Sequence, residues 1–521
     1  MKLSVIDLGY NSIKLVSYHI DGRNSFKVYD RRSIKLKIGK GLGENGYISD
    51  AARRDTIESL RLFRDIIKTD NVENILPVAT SAVREATNKK EFLSEIYDQT
   101  GFSFRLLSHE EESLYSWCGA LHSTCITDAL FFDLGGGSLE IVHSENYRIK
   151  NLLSLPLGAL RLTQMLNQKN GSLERNYTRK LLNRLEQYIV KYLPDRRHFG
   201  FSPDVTLVGV GGTLRTLAQY DQDLNNYPID KLHNYKIKIE RVEELSRKLS
   251  GMSVDEISGI VSIGNSRSDT VVPGCYVISS IMKKFRCDAV VVSTEGLREG
   301  LVLCFINDSL HEASNNIMTT LRSQVENIVK ASCRHVEPPR PYNDFVETLL
   351  SAGLLKEREY EILVEAVIRM HVVPNTVSTN ALFYIMMDQE YKNLSHSEQL
   401  VLCLSIVNSK KQKTSNRLFA KYKMLLHAPQ NKRSIEKISS CLDFINVLER
   451  SQAAIHSVRY DGKILYIDLR CKDISSFPRI LFEEAARGLY LSFGIPIKHS
   501  LNEAMTSNDI KLKIENNRAT P

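Results

Sequence analysis

The sequence predicts an α/β protein built from two related halves, followed by a helical region and a small α/β region. Three observations support this prediction. A glycine-containing motif occurs twice, 126 residues apart. Short apolar runs alternate with helical periodicity up to about residue 310. From about residue 315 the strand-like runs vanish, and they return only near residue 454.

The second copy of the motif reads as a strand, a turn of three glycines and another strand. The strands are predicted at 129–134 and 139–143. Consecutive glycines allow positive φ and bring several N–H groups close to an anion. Ser138 adds a hydroxyl, and Asp133 and Glu140 place carboxylates at the rims, which favours a bridging divalent cation or a proton-transfer role. An ordinary glycine hairpin is the alternative.

The first copy repeats the acidic residue, the first glycine and the serine at the same spacing. The matching positions are Asp7, Gly9 and Ser12 in the first copy and Asp133, Gly135 and Ser138 in the second. Self-similarity at this spacing indicates a duplicated fold with related loops facing each other across a cleft. The pattern is typical of the actin, Hsp70 and sugar-kinase group of ribonuclease H-like folds, an analogy that does not choose a reaction.

Two further sites suggest anion chemistry. Gly211, Gly212 and Thr213 follow a buried strand and open a helix, which predicts another anion-binding N-terminus. Arg84 lies near a helix start, where its guanidinium could bind a phosphate, although a surface pair with Glu85 or Glu91 is the alternative.

Glu112 is the candidate general base. Ser108 and Glu111 form a predicted capping box, so a helix begins just before the central glycine turn. Acidic residues in a first turn also complement the helix dipole, which is the alternative role for Glu112. Capping accounts for Glu111 but does not require Glu112.

Composition indicates a soluble cytoplasmic protein. The nine cysteines form no C-x-x-C pair, which predicts buried free thiols, and no stretch approaches the ~20 apolar residues of a membrane span. The net charge of +8 favours an anionic partner. The basic segments 31–40 and 410–423 are either solvated surfaces or tracks for a polyanion.

Seven runs, in order along the chain, resemble the exopolyphosphatase/guanosine pentaphosphate phosphohydrolase (Ppx/GppA) family, of the long exopolyphosphatase type. The runs are residues 7–12, 79–86, 108–112, 133–140, 157–162, 209–213 and 295–300. The resemblance implies actin-like half-domains at 1–125 and 126–310. It also implies a helical HD-like domain at 315–435 and a small α/β domain at 440–521. The metal motif of the HD-like domain is degenerate, since residues 371–374 and 408–411 lack the expected His-Glu and His-Arg-Lys runs.

The resemblance also implies roles for individual residues. Glu112 would activate water, and Arg84 would bind the terminal phosphate. Asp133 and Glu140 would position Mg²⁺ or another divalent cation, or the attacking water. Phosphate oxygens would be held by Asn11, Ser12, Gly135, Gly136, Gly137, Ser138, Gly211, Gly212 and Thr213.

The expected activity is hydrolysis of terminal phosphoanhydride bonds in inorganic polyphosphate, with release of orthophosphate. Three alternatives stay open: a guanosine pentaphosphate 5′-phosphohydrolase, a sugar-kinase-like phosphotransferase, and a non-catalytic regulator that binds polyphosphate or an alarmone. For the phosphotransferase we find neither an adenine pocket nor an acceptor site. The resemblance implies a homodimer, and we expect neither a nucleic-acid nor a membrane partner.

Overall fold

Two units make up the chain, Met1–Arg334 and His335–Pro521. The computed structural model describes residues 1–22, 25–39, 42, 46–167, 177–199, 205–307, 317–333, 342–370, 377–471, 474–475 and 477–503.

Two mixed sheets with the same strand order form the first unit. The first sheet has the order β3-β2-β1-β4-β5. Its strands are β1 (Lys2–Leu8), β2 (Ser12–Gly22), β3 (Ser25–Lys35), β4 (Asn74–Ala79) and β5 (Arg105–Leu106). The first three strands are antiparallel neighbours, whereas β4 runs parallel to both β1 and β5.

The second sheet repeats this arrangement as β8-β7-β6-β9-β11, with β10 added at the edge beside β11. Its strands are β6 (Ala129–Leu134), β7 (Leu139–Glu145), β8 (Arg148–Leu155), β9 (Thr206–Val210), β10 (Lys236–Lys238) and β11 (Ala289–Val292). Here too β6, β7 and β8 are antiparallel, and β9 runs parallel to β6 and β11. The mixed α/β halves are therefore confirmed.

The two motif copies also match in their hydrogen bonding. In each hairpin the acidic residue pairs across the sheet with the residue seven positions later: Asp7 with Lys14, and Asp133 with Glu140. In each turn the first glycine donates its N–H to the serine carbonyl three residues on, over 3.1 Å: Gly9 to Ser12, and Gly135 to Ser138. The internal duplication predicted from the sequence is confirmed at this level of detail.

Helices pack around both sheets. In the first unit they are α1 (Asp50–Thr69), α2 (Ser81–Glu85), α3 (Lys89–Thr100), α4 (His109–Thr124), α5 (Ala159–Asn167), α6 (Arg179–Tyr192), α7 (Arg196–Phe199), α8 (Gly212–Leu224), α9 (Ile239–Ser250), α10 (Val254–Ser258), α11 (Gly264–Arg267), α12 (Val271–Phe285), α13 (Leu297–Ile306) and α14 (Ile317–Ser332).

Helices α4 and α13 cross in close contact because glycines line the crossing. A Cβ on Gly119 would lie 2.1 Å from the Gly296 carbonyl oxygen, and one on Gly300 would lie 1.9 Å from the Tyr115 carbonyl oxygen. Only glycine permits this approach. The crossing fixes the start of α4 relative to the turn that precedes α13, and both line the cleft described below.

Helix α14 packs on the core of the first unit. Its residues Leu321, Val325 and Val329 belong to the same buried core as Trp117 of α4. Burial of this apolar face places the helix in the first unit, which extends to Arg334. The finer division into four domains stays a prediction.

The second unit contains a helical part and a three-stranded sheet. Its helices are α15 (Asn343–Ser351), α16 (Glu357–Arg369), α17 (Thr379–Asp388), α18 (His396–Lys410), α19 (Gln412–Lys421), α20 (Gln430–Arg450) and α21 (Arg479–Phe493), with a 3₁₀ turn at Lys423–Leu425. The sheet order is β12-β13-β14, formed by Ala454–Tyr460, Leu465–Cys471 and Ile497–Glu503. The predicted hairpin around Asp461 and Gly462 is confirmed. The HD-like assignment stays a prediction, and residues 371–374 lie outside the described residues.

Two expectations from composition can be compared with the structure. All nine cysteines are free thiols, and seven of them are buried as predicted, whereas Cys125 and Cys333 are partly exposed. Of the helices in the described ranges, none has both the length and the apolar character needed to cross a lipid bilayer.

Candidate active site

A cleft in the first unit is lined by the three predicted glycine turns. Its volume is about 780 Å³ including the open mouth. The turns are those between β1 and β2, between β6 and β7, and between β9 and α8. The polar and charged side chains of the lining are Asp7, Tyr10, Asn11, Ser12, Lys14, Thr80, Ser81, Glu112, Asp133, Ser138, Glu140, Arg215, Arg267 and Arg298.

The β6–β7 turn has its carbonyl groups occupied by the segment that starts α5. The carbonyl oxygens of Gly135 and Gly136 accept from the N–H groups of Ala159 and Leu160, each over 3.0 Å, and Arg161 Nε donates to the Gly137 carbonyl over 2.7 Å. Within the described residues, no acceptor pairs with the N–H groups of Gly136 and Gly137. The turn is therefore a set of backbone donors without protein acceptors.

The β1–β2 turn is arranged in the same way. Its carbonyl groups accept from the segment after β3: Leu36 and Lys37 donate to Asn11 over 3.1 and 2.9 Å, and Gly39 donates to Tyr10 over 3.0 Å. In the part of the chain that the structure describes, the buried Asn11 Oδ1 has no hydrogen-bond partner.

The third turn presents the N-terminus of α8. Gly211 has φ of +117°, and a Cβ there would lie 2.4 Å from the Leu134 carbonyl oxygen, so both conformation and space require glycine. Helix α8 spans Gly212–Leu224 and begins in the cleft lining with Gly212, and the first N–H groups of a helix have no intrahelical acceptors. The positive end of its dipole favours an anion at this position.

Glu112 lies in the first turn of α4, where the capping box of Ser108 and Glu111 is confirmed. Its side chain is 13% exposed and accepts a hydrogen bond from Arg84 Nη1, with a separation of 3.1 Å. Burial raises the pKa of Glu112 to about 7, against the opposing charge of Arg84. A carboxylate with this pKa is suited to accept a proton near neutral pH.

Asp133, which is partly exposed, and the buried Glu140 lie opposite each other on adjacent strands. Burial raises the pKa of Asp133, while Ser116 Oγ donates to it over 2.5 Å. Burial, together with the negative charges of Glu112 and Asp133, raises the pKa of Glu140 well above its usual range. The carboxylate side of the cleft therefore favours a bound cation or proton.

Four cationic side chains also line the cleft. Burial, with the neighbouring charge of Arg298, lowers the pKa of Lys14 to about 8 and that of Arg215 to about 10. Arg267 packs over Gly212, at which a Cβ would lie 1.9 Å from Nη2. Buried cations crowded in this way are stabilised by an anion such as a phosphate group.

The structure brings most of the predicted residues together. The cleft lining includes Asn11, Ser12, Gly135, Gly136, Ser138, Gly211, Gly212, Glu112, Asp133 and Glu140. Three predicted residues do not line it. Gly137 lies against Tyr10 and Ser81, and Thr213 is buried in α8 beside Gly274.

Arg84 is the third residue outside the lining, because its guanidinium group faces other protein groups. Besides Glu112, it donates to the Leu107 carbonyl over 2.7 Å and to His109 Nδ1 over 2.8 Å. The direct contact with phosphate that the resemblance implies stays a prediction.

Sequence reasoning missed the four cations as site residues, although three had a signal. Lys14 occupies the position that matches Glu140 in the other motif copy, and Arg298 lies within the run 295–300. Arg215 follows the third glycine turn by two residues. Arg267 ends the four-residue helix α11, where no periodic pattern indicated it.

The residues fit a divalent cation that is shared with a substrate. No group of three or more His, Cys, Asp or Glu side chains within the described ranges is placed to hold a metal ion. Mg²⁺ is commonly bound by one or two carboxylates together with water and substrate phosphates. The pair Asp133 and Glu140 meets that requirement.

The model of the Ppx/GppA phosphatase family matches residues 15–308, more than half of the chain. The chain belongs to the Ppx/GppA phosphatase family. The matched range contains every predicted site residue except Asn11 and Ser12.

Curated relatives have different names at low identity. The "Bifunctional 3-dehydroquinate synthase/phosphatase" of Fusobacterium nucleatum is 26% identical over 311 residues, 57% of this chain and 46% of that protein. The chain therefore spans less than half the length of that relative. A "Guanosine-5'-triphosphate,3'-diphosphate pyrophosphatase" of Vibrio campbellii is 24% identical, with 72% of this chain and 73% of that protein covered. "Exopolyphosphatase 2" of Mycobacterium tuberculosis is 25% identical, with 58% of this chain and 98% of that protein covered.

A solved structure agrees with the family assignment. The Ppx/GppA family member of Aquifex aeolicus aligns with a TM-score of 0.50 and 25% identity, covering 60% of this chain and 99% of that one. The remaining 40% of this chain has no counterpart in that structure.

Proposed function

We propose that this protein hydrolyses terminal phosphoanhydride bonds of inorganic polyphosphate and releases orthophosphate. One observation supports this most directly. A single cleft combines three turns of backbone donors, four cations and a buried Glu112 whose pKa is about 7. Phosphoryl transfer to water requires charge stabilisation on the phosphoryl group, a positioned water and a base.

In the proposed reaction, water attacks the terminal phosphorus and the bridging P–O bond breaks. The polymer leaves one unit shorter, orthophosphate is formed, and Glu112 takes the proton of the attacking water. The donor turns and the cations Lys14, Arg215 and Arg298 hold the phosphate oxygens. Arg84 keeps Glu112 oriented through the 3.1 Å hydrogen bond.

We further propose that Asp133 and Glu140 hold Mg²⁺ or another divalent cation. When bound, the ion neutralises charge on the phosphate oxygens. The raised pKa values of both carboxyl groups support this assignment, because an added positive charge would favour their ionised forms. We also propose that the protein acts as a homodimer, which the family resemblance suggests.

Guanosine pentaphosphate is the second candidate substrate. It presents the same terminal phosphoanhydride, and the relatives include proteins named for either substrate. The geometry of the cleft does not favour one over the other. The preference for a long polymer rests on the resemblance to long exopolyphosphatases.

The test compares orthophosphate release from long-chain polyphosphate and from guanosine pentaphosphate, with and without Mg²⁺. The decisive variant is Glu112→Gln, and the matched control is Glu110→Gln, an exposed glutamate in the same helical turn. We expect Glu112→Gln to lose at least about a hundredfold in kcat, in line with removal of a general base, while the control keeps wild-type activity. Full activity in Glu112→Gln would refute the mechanism. Binding of both compounds without turnover by the wild type would favour the regulator.

A further inference from the structure

The positive charge of this chain is concentrated in one segment of the second unit. Between Glu398 and Glu436 there are eight Lys and Arg residues and no Asp or Glu. The net charge of the whole chain is +8, so the remainder of the chain is neutral on balance. A charge distribution this uneven indicates a polyanionic partner for the segment.

Helix α19 displays part of this charge as a stripe. Lys413, Arg417 and Lys421 are spaced by four residues, which places them along one side of the helix. All three are exposed. In the part of the chain that the structure describes, no ion pair joins any of them to a carboxylate. The stripe therefore carries positive charge that the fold leaves uncompensated.

Helix α17 adds polar and aromatic groups beside the stripe. Arg417 donates to Asn380 Oδ1 over 2.9 Å, and Lys421 donates to Tyr384 Oη over 2.8 Å. Lys421 Nζ also lies 5.2 Å from the centre of the Tyr384 ring. Tyr384 nevertheless remains 41% exposed, and Met424, just past the end of α19, is 63% exposed.

We propose that this surface, formed by α17, α19 and the 3₁₀ turn after it, binds single-stranded nucleic acid. Lys413, Arg417 and Lys421 contact backbone phosphates, and Tyr384 stacks on a base. Grooves that bind single strands combine a basic track with exposed aromatic rings in this way. Inorganic polyphosphate would use the cations but has no planar group for the ring. The proposal replaces our expectation that the protein has no nucleic-acid partner.

The first experiment tests the charge. Binding of 5′-fluorescein-labelled 20-nucleotide RNA and DNA single strands to the full chain is followed by fluorescence anisotropy from low to physiological salt. The test variant is Lys413→Gln/Arg417→Gln/Lys421→Gln, and the matched control is Lys236→Gln/Lys238→Gln/Lys330→Gln, three exposed lysines of the first unit. Circular dichroism checks that both fold.

We expect the test variant to bind at least about tenfold more weakly at low salt. The slope of log K against log salt should decrease by about 2, since each phosphate contact contributes about 0.7 for single strands. The control should bind within about twofold of wild type. Equal binding by the two triple variants, or no oligonucleotide binding by wild type at low salt, would overturn the proposal.

The second experiment separates nucleic acid from polyphosphate. Tyr384→Ala removes the ring, whereas Tyr384→Phe keeps the ring and removes only the hydroxyl that Lys421 contacts. Loss of a stacked base should weaken oligonucleotide binding by about fivefold or more in Tyr384→Ala, with Tyr384→Phe close to wild type. Binding of labelled polyphosphate should be the same in both variants. Oligonucleotide binding that is unchanged in Tyr384→Ala would refute base stacking and assign the surface to polyphosphate.

Discussion

Replacing Arg84 by glutamine should shift the pH dependence of catalysis upward. In the structure Arg84 Nη1 lies 3.1 Å from Glu112 Oε2, and the two side chains are only 14% and 13% exposed. The positive charge favours the ionised form of Glu112, whereas burial opposes it, and the pKa that results is about 7. Without the guanidinium group, burial acts unopposed and the pKa rises.

The size of the pKa shift of Glu112 follows from its distance to the Arg84 guanidinium group. At an effective dielectric constant of 20, two unit charges 3.1 Å apart interact by about 5 kcal/mol. This figure is an upper limit, because water enters the space left by Arg84 and screens the carboxylate. Measured effects of a neighbouring Arg on a carboxyl group are about 1–3 pKa units. The pH below which activity falls should therefore move from near pH 7 to between about pH 8 and 10.

The assay is the pH profile of kcat/KM for orthophosphate release by wild type and Arg84→Gln. A base must be ionised to accept a proton, so activity falls about tenfold per pH unit below the pKa. At pH 7 the kcat/KM of the variant should be about ten- to a thousandfold below that of wild type. Most of this loss should be recovered at pH values above the raised pKa of Glu112. The control is Arg61→Gln, an exposed arginine that contacts Gln99.

A loss that is the same at every pH would refute this reasoning. Such a profile would mean that Arg84 contributes through a contact with phosphate, as the family resemblance implies, rather than through Glu112. An unchanged profile would remove Arg84 from both roles.

Three further predictions concern stability and metal binding. Because the pKa of Glu112 rises from 4.5 to about 7 on folding, its contribution to stability is complete below pH 4.5 and is lost as the pH rises through 7. Between these pH values the unfolding free energy of ligand-free wild type, measured by urea denaturation, should thus fall by about 3 kcal/mol relative to that of Glu112→Gln. The same pH dependence of the unfolding free energy in both proteins would contradict this. Gly300→Ala should destabilise the first unit by about 1–3 kcal/mol, since its Cβ would meet the Tyr115 carbonyl oxygen at 1.9 Å. Gly488→Ala, whose nearest neighbour would be 3.9 Å away, should not destabilise. Mg²⁺ should raise the melting temperature of wild type but not of Asp133→Asn, measured by differential scanning fluorimetry with orthophosphate present, and an equal rise would exclude Asp133 as a ligand.

The sequence was sufficient for features that depend on local chemistry. The duplicated hairpins, the capping box before Glu112 and the glycine turn that opens a helix at Gly212 all follow from short-range patterns, and the structure shows each of them. The packing of α14 on the core of the first unit could not be predicted, because periodicity shows that a helix is amphipathic but not which core it covers.

The cationic half of the site was missed for a related reason. Lys14, Arg215, Arg267 and Arg298 come from four separate segments, and only the tertiary fold brings them to one cleft. An isolated Lys or Arg in a sequence is most often a solvated surface residue. Arg267 in particular has no motif around it, so its place beside Gly212 depends on the packing of α11.

The duplicated hairpins explain how one fold can make a cleft with two different sides. Asp7 is paired within the protein, since Lys14 Nζ and Arg298 Nε lie 4.0 and 3.7 Å from its Oδ2. The equivalent Asp133 faces Glu140 instead. Lysine at one position and glutamate at the matched one, together with Arg298, give the first hairpin an internally paired carboxylate, whereas the second hairpin has two carboxyl groups opposite each other. Under the proposed function, this asymmetry gives the terminal phosphate a protein-supplied positive side and a metal-binding side from two copies of the same turn.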